Sequence, residues 1–336
     1  MKIKTLMGVL LMCIAPLTSP TPTAAGQKQD GDNQSEGFKE SLEVIIRGID
    51  GRYPIKEKAD KIIESLREAS KNSTFFNQDE PSFVKAVNKV LWDSSHDLHL
   101  KLYDKAAMEA RYKKSGSKRS PRIRRRVRPS GDSAGGPPPA MGTSVVESEM
   151  INADTGIFTF KTPIYRNPEI YTPALEKLEG ADNIIIDLRN VPGGTNFGVN
   201  YFLSQFYSEP TLLSAMVSRQ SPEPRESWST KTELGKRFTD KNLYVLVNEK
   251  TASGAEAVAF SLKNTGRATI IGSKTAGAGN AGQMLSTGYG LTLFLPIAQA
   301  INPATGEIFE GIGVSPDIKT KSEDALKETM TLINKA

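Results

Sequence analysis

The chain has 336 residues but one cysteine, Cys13, and two histidines, His96 and His99. Cys13 lies in an apolar N-terminal stretch, so the chain beyond it has no thiol. That excludes a disulfide framework, a cysteine nucleophile and a thiolate metal site there. The histidines sit in Ser95-His96-Asp97-Leu98-His99-Leu100. Two histidines three apart, with an Asp between them, could ligate a metal, but no other His or Cys exists to complete such a site. One histidine acting as a general base needs less support. Acids are missing from one segment: ten Lys/Arg and no Asp or Glu lie between Arg111 and Arg128. The rest of the chain carries more acids than bases, which excludes a uniformly basic nucleic-acid binder.

What is present falls into distinct regions. Lys2 and Lys4 precede the apolar run "TLMGVLLMCIAPL", and "TAAG" supplies small residues near Ala25. This pattern reads as a secretory signal over 1–25, with export to a periplasm or the medium; the run is short for a membrane span, and an anchor is the alternative. Met12 before Cys13 does not suit a lipoprotein cleavage site. An exported chain without thiols suits an oxidising compartment. Residues 26–37, "GQKQDGDNQSEG", are polar and expected to be disordered. From 38 to 110, "FKESLEVIIRGI", "KEKADKIIESLREAS" and "PSFVKAVNKVLWD" space apolar residues at three and four, which predicts a helical region. The apolar "LHLKLY" after it predicts a strand. Residues 111–142 are rich in Gly, Pro, Ser and Arg, have little to bury, and read as a linker. Its Arg111–Arg128 run is a solvated charge run or a contact for an anionic partner or membrane surface.

From 143 to 336 the pattern is α/β. "TGIFTFK", "NIIIDL", "NLYVLVN" and "ATIIG" read as buried strands, and "PEIYTPALEKLEG", "GAEAVAFSLKN" and "SEDALKETMTLINKA" as helices, the last with Ser322 as its cap. "GQMLSTGYGLTLFLP" alternates around Gly288-Tyr289-Gly290 like a hairpin. Ser253 stands where the strand "NLYVLV" turns into a small-residue helix. A serine there has free N–H groups beside it that can hold an oxyanion, and Gly254 lets a carbonyl approach; the alternative is an ordinary N-cap serine. "DLRNVPGG" (187–194) ends a strand in charges and two glycines, and reads either as uncovered N–H groups or as a turn with a structural Asp–Arg pair. "EGIGVSPD" (310–317) is a rigid turn carrying carboxylates.

In this order, "DLRNVPGG", "TASGAEAVAF", "GSKTAGAG" and "EGIGVSPD" resemble the tail-specific, or C-terminal-processing, serine protease family. That family includes tricorn-type proteases and the repeats of interphotoreceptor retinoid-binding protein. The resemblance covers about residues 145 to 320 and more loosely the stretch around Asp97-Leu98-His99-Leu100. It implies a crotonase-like α/β core, a spiral of βαβ turns, behind a small helical region. Processing proteases pair the serine with a lysine in a "GKTFGKG"-like stretch. Here Ala278 stands at that position and Lys274 at a neighbouring one. Fewer than forty residues separate Asp104 from Thr143, too few for the family's PDZ domain. Both departures point to the tricorn-like branch, in which a histidine serves the serine. There a serine precedes the histidine, where this chain has Leu98.

The resemblance therefore implies an exported serine peptidase acting on peptides or proteins. Ser253 is the nucleophile, His99 its base with His96 as second choice, Glu310 an indirect orienter, and the Gly194 and Gly254 N–H groups the oxyanion donors. No metal, cofactor or specific nucleic acid is implied. The alternative is a non-enzymatic binder of an apolar ligand or peptide, like the retinoid-binding relatives, or a non-proteolytic hydrolase.

Overall fold

A computed structural model describes residues 25–114, 146–165 and 168–335. The expected signal and most of the expected linker lie outside these residues.

Three helices open the described chain: α1 (Ala25–Arg52), α2 (Lys56–Ser70) and α3 (Glu80–Ser95). Their apolar stripes close on one another through Leu42, Ile45, Ile49, Ile62, Leu66, Phe83 and Leu91, all buried. The expected disorder over 26–37 is not what is found, since α1 begins at Ala25. Part of the reason is a contact outside the helix. The Tyr289 hydroxyl donates to the Asn33 carbonyl at 3.0 Å, and a Cβ built on Gly37 would lie 1.9 Å from the Tyr289 ring. Gly37 thus lets the tyrosine lie across the helix, an anchor that polar composition does not reveal. The "LHLKLY" strand shortens to β1 (Lys101–Tyr103), followed by α4 (Lys105–Lys114), so residues 111–114 are helix rather than linker.

The remainder alternates as expected. The strands are β2 (Val146–Met150), β3 (Thr155–Phe160), β4 (Asn183–Asp187), β5 (Leu212–Ser218), β6 (Ser221–Trp228), β7 (Asn242–Val247), β8 (Ala268–Gly272), β9 (Asn280–Gly288), β10 (Leu291–Ile301) and β11 (Ile318–Lys319). The helices are α5 (Pro168–Glu176), α6 (Asn196–Leu203), α7 (Glu233–Phe238), α8 (Gly254–Asn264) and α9 (Ala325–Ile333). One sheet runs β11-β8-β7-β4-β3-β2, parallel except for β2. Burial on both faces explains why β4 and β7 read as unbroken apolar runs. Helices α5, α6 and α8 supply side chains to the core on one face; α9 packs on the other. Ser322 does not cap α9, whose N-cap is Asp324. Its hydroxyl accepts from Asn248 and its carbonyl from Arg189.

The second sheet is antiparallel. The long β10 pairs with β9 along one edge and with β1 and β5 along the other, and β6 extends β5. The β5–β6 pair is not legible in the sequence: β6, "SPEPRESW", is exposed almost throughout and has no apolar alternation. Leu102, Leu291, Leu293 and Leu295 from this sheet complete the core of the N-terminal helices. The helical region and the hairpin of the α/β region thus share one core.

Candidate active site

In an open parallel sheet, loops at the carboxyl ends of the strands form the natural cleft. The loops after β4, β7 and β8 meet at such an edge here. Asn248, at the end of β7, joins two of them: its Oδ1 accepts from Asn190 N–H at 3.0 Å, and its Nδ2 donates to Asn190 Oδ1 at 3.1 Å. Thr251 Oγ1 donates to the Leu188 carbonyl, and Ala252 N–H to the Val191 carbonyl. Asp187 and Arg189 form a bidentate pair at 2.6 and 2.9 Å, so these two charges brace the loop rather than face a ligand. The loop after β8 is clasped to the "EGIGVSPD" turn: Val314 N–H donates to Thr275 Oγ1 at 2.6 Å and Gly311 N–H to the Gly277 carbonyl at 2.8 Å.

Ser253 sits at the N-cap of α8 with φ +52° and ψ −120°. A side chain held there carries backbone strain of about 1–3 kcal/mol, which the surroundings must offset. Glu256, fully buried, does much of that. Its carboxylate accepts the Ser253 N–H at 2.8 Å, the Thr275 hydroxyl at 2.5 Å, and the Gly277 and Ala278 N–H groups at 2.6 and 2.7 Å. Burial raises the Glu256 pKa, and these four donors pull it back without cancelling the shift. Ala278 thus offers only a backbone donor at the position where processing proteases carry lysine. Lys274 is exposed.

The strained turn holds Ser253 Oγ 3.0 Å from His99 Nε2. His99 arrives from the other side of the molecule. Helix α3 ends at His96 in the left-handed region (φ +51°), and the chain turns around Asp97. Asp97 Oδ1 accepts the N–H groups of His99 at 2.8 Å and Leu100 at 3.3 Å. Its Oδ2 accepts from the Tyr53 hydroxyl at 2.9 Å and Asn280 Nδ2 at 2.8 Å. Burial, then Asp97, push the Tyr53 hydroxyl well above its ordinary pKa, so it remains a donor. The His99 ring stacks on Phe294, centroids 5.5 Å apart at 26°.

Glu310 completes the cluster. It is 5% exposed, and its Oε2 accepts from Gly279 and Asn280 N–H groups at 2.6 and 2.8 Å. Single ligand-type atoms of Asp97, His99 and Glu310 all lie within 4.8 Å of one another. Burial first, and Asp97 second, push the Glu310 carboxyl up to about 7, against the two backbone donors. These three side chains also have the composition of a metal site. Yet Asp97 already accepts four hydrogen bonds and Glu310 Oε2 two, whereas a zinc ion takes about four ligand atoms at bonding distance. The donor set suits proton handling better.

The glycines lie where the motifs put them. A Cβ built on Gly254 would be 2.6 Å from the Gly194 nitrogen, and one on Gly194 would be 2.5 Å from the Ile164 carbonyl oxygen. Gly193, at φ +133°, passes so close that its Cβ would lie 3.0 Å from the Ser253 Cβ. The backbone after β4 therefore runs against the serine, a position only glycine permits. His96 is not brought to the serine; it is exposed and packs on Trp92 with centroids 5.3 Å apart. Leu98 is 48% exposed.

Sequence reasoning did not assign roles to Glu256, Asp97, Tyr53 or Asn280. Glu256 had a local signal, since Ser253-x-x-Glu256 has capping-box spacing. Tyr53 and Asn280 reach Asp97 across 44 and 183 residues, which no local pattern encodes.

The profile of peptidase family S41 matches residues 157–320. A carboxyl-terminal-processing protease of Synechocystis sp. is 35% identical over 147 residues, 43% of this chain and 33% of that protein. One from Arabidopsis thaliana, chloroplastic peptidase 3, is 30% identical over 44% of this chain and 28% of its own. The chain spans about a third of the length of the curated relatives it matches. Among solved structures, the photosystem II D1 C-terminal processing protease superposes with a TM-score of 0.59 at 17% identity, covering 86% of this chain and 94% of the other. At that identity the likeness concerns the fold, a mixed α/β architecture. No helix among the described residues is long and apolar enough to cross a membrane. The strained serine turn, the ordered glycine loops and the matched profile lead to one assignment: residues 157–320 of this chain belong to peptidase family S41.

Proposed function

We propose that the chain is a serine peptidase that cleaves peptide bonds by acyl transfer through Ser253. The observation that carries this reading is the 3.0 Å contact between Ser253 Oγ and His99 Nε2 across 154 residues of sequence. An N-cap serine needs no such partner, and a binding module gains nothing from holding a serine in a strained conformation. For that reason the apolar-ligand binder is the weaker reading.

The steps follow from the geometry. His99 Nε2 takes the Ser253 hydroxyl proton as Oγ bonds to the substrate carbonyl carbon. The carbonyl oxygen becomes an oxyanion, and the N–H groups of Gly194 and Gly254, beside the serine, stabilise it together with the positive end of α8. The C–N bond breaks, and His99 returns the proton to the leaving amine. Water then attacks the acyl carbon as it gives a proton to His99, the bond to Oγ breaks, and His99 passes that proton to Oγ, releasing the acid and free Ser253. Glu310 and Asp97 stand behind the imidazole and orient it. They also stabilise its charged form, which Leu98 cannot do. No lysine is needed.

The same reading includes a crotonase-like core, export through the N-terminal segment, peptide or protein substrates, and a contact of the Arg111–Arg128 run with an anionic partner or membrane surface. A fluorophosphonate probe followed by intact-mass measurement tests it. One adduct on the wild type, none on Ser253→Ala, and turnover lost by roughly a million-fold in Ser253→Ala and His99→Ala alike are expected. A wild type without any Ser253-dependent labelling or hydrolysis restores the binder.

A further inference from the structure

The antiparallel sheet has two unlike faces. Leu102, Leu291, Leu293 and Leu295 point into the core under α1–α3. Alternation along a strand puts Phe294 on the opposite face, where it is only partly buried. Met284 is its direct cross-strand partner and shares that face. It is 37% exposed, an unusual place for a large apolar side chain. Gly282 lies on β9, the same strand as Met284. A Cβ there would be 2.4 Å from the Phe294 ring, so the ring edge lies against the β9 backbone. The same ring stacks on the His99 imidazole. The result is an apolar shelf, Phe294 then Met284, that begins at the catalytic base and runs outward along β9 and β10.

The chemistry decides which part of a substrate meets it. In acyl transfer the base must hand its proton to the leaving nitrogen, so the leaving segment lies on the histidine side of the scissile bond. Whatever lines the far side of His99 therefore faces the residue that contributes that nitrogen. Resting on the peptidase reading above, we propose that Phe294 and Met284 form a leaving-side subsite that selects a large apolar residue immediately after the scissile bond. Leu98, exposed and next to His99 in the chain, adds to its apolar rim. An acidic or small polar residue at that place gains no burial on the shelf.

Two measurements on the full chain test this. The first uses internally quenched peptides identical except for Leu, Ser or Asp after the scissile bond, with the cleavage point located by mass spectrometry. A hydrophobic contact of this kind is worth about 10–200-fold in kcat/KM. The wild type should favour Leu over Asp within that range. Met284→Lys should cut the ratio at least tenfold, through loss of the Leu peptide and gain of the Asp peptide. Met284 lies on β9 and not on the serine turn, so labelling of Ser253 should persist in this variant.

The second measurement isolates the leaving side. Added leucinamide or serinamide competes with water for the acyl-enzyme. The amine nitrogen bonds to the acyl carbon, the bond to Oγ breaks, and the amine proton passes through His99 to Ser253. Leucinamide should capture more acyl group than serinamide in the wild type, and this advantage should vanish in Met284→Lys. Labelled, active enzyme whose Leu/Asp ratio and amine partition are the same with and without Met284→Lys overturns the subsite and leaves the peptidase reading standing. Absence of Ser253 labelling overturns both.

Discussion

Glu310→Gln separates the charge of the buried acid from its shape. Gln can offer one oxygen to the Gly279 and Asn280 N–H groups as Glu310 Oε2 does. Its amide nitrogen then takes the place of Oε1, which has no hydrogen-bond partner among the described residues. The substitution removes titration and little else. In the folded wild type the carboxyl is raised from 4.5 to about 7 by burial and by Asp97. Its folded pKa lies above its unfolded one, so between these values the native state holds a proton that the unfolded chain has released. Stability is greatest below about 4.5 and falls as pH rises towards 7, by about 1.4 kcal/mol per pH unit at the steepest. Over the whole interval the loss is on the order of 3 kcal/mol. Urea unfolding of both proteins from pH 4.5 to 8 measures it, the difference between them cancelling the titrations of groups away from Glu310. The Glu310→Gln protein should be the more stable partner at pH 8 and lose that advantage towards pH 4.5. Activity should move in the opposite sense: kcat/KM of the wild type should rise through neutral pH as Glu310 ionises behind His99, and the Gln variant should stay below it at pH 8. Parallel stability profiles for the two proteins would refute the placement of a raised, proton-holding carboxyl at this site.

Other outcomes follow from single contacts. His96→Ala and Lys274→Ala should leave peptide turnover within about twofold of wild type, because both side chains are exposed and neither contacts Ser253; a loss as deep as that of His99→Ala in either would replace the assigned base. Glu256→Gln should cost about 1–3 kcal/mol in thermal or urea unfolding, since the amide must face a buried donor that the carboxylate now accepts, and Ser253 should lose its probe reactivity with it. Gly254→Ala should lower kcat by displacing the Gly194 backbone, which its Cβ would meet at 2.6 Å, with KM much less affected.

The parallel sheet was legible because its strands are buried on both faces, so "NIIIDL" and "NLYVLVN" announce themselves without any pattern of alternation. The body of each of the three N-terminal helices showed through spacing. Strand β6 did not, because its side chains face solvent and its only debt to the fold is backbone pairing with β5. The start of α1 did not either. Its polar composition argues against burial, and part of what holds it is the ring of Tyr289 laid over Gly37 from 252 residues away. Sequence reveals what an element buries of itself better than what another element lays upon it.

The same distinction runs through the site. Ser253, Gly254 and Gly194 were readable because a strained turn and close backbone passage demand particular residue types in a row. His99 was readable from the scarcity of histidine and from a resemblance. The grip on His99 was not, because Asp97 is held by Tyr53 from the end of α1 and by Asn280 from the start of β9. Those two residues belong to the partners that share the leucine core of the helical region and the hairpin. On the proposed mechanism, His99 is placed to act only once that core has formed, whereas Ser253 is set by the parallel sheet and Glu256. A cavity in the shared core, such as Leu293→Ala, should cost about 2–5 kcal/mol in stability. In the protein that still folds, it should slow turnover by loosening His99 while the Ser253 turn keeps its shape, so activity should fall further than the folded fraction does. Activity that simply tracks the folded fraction would mean that the serine turn alone positions the histidine.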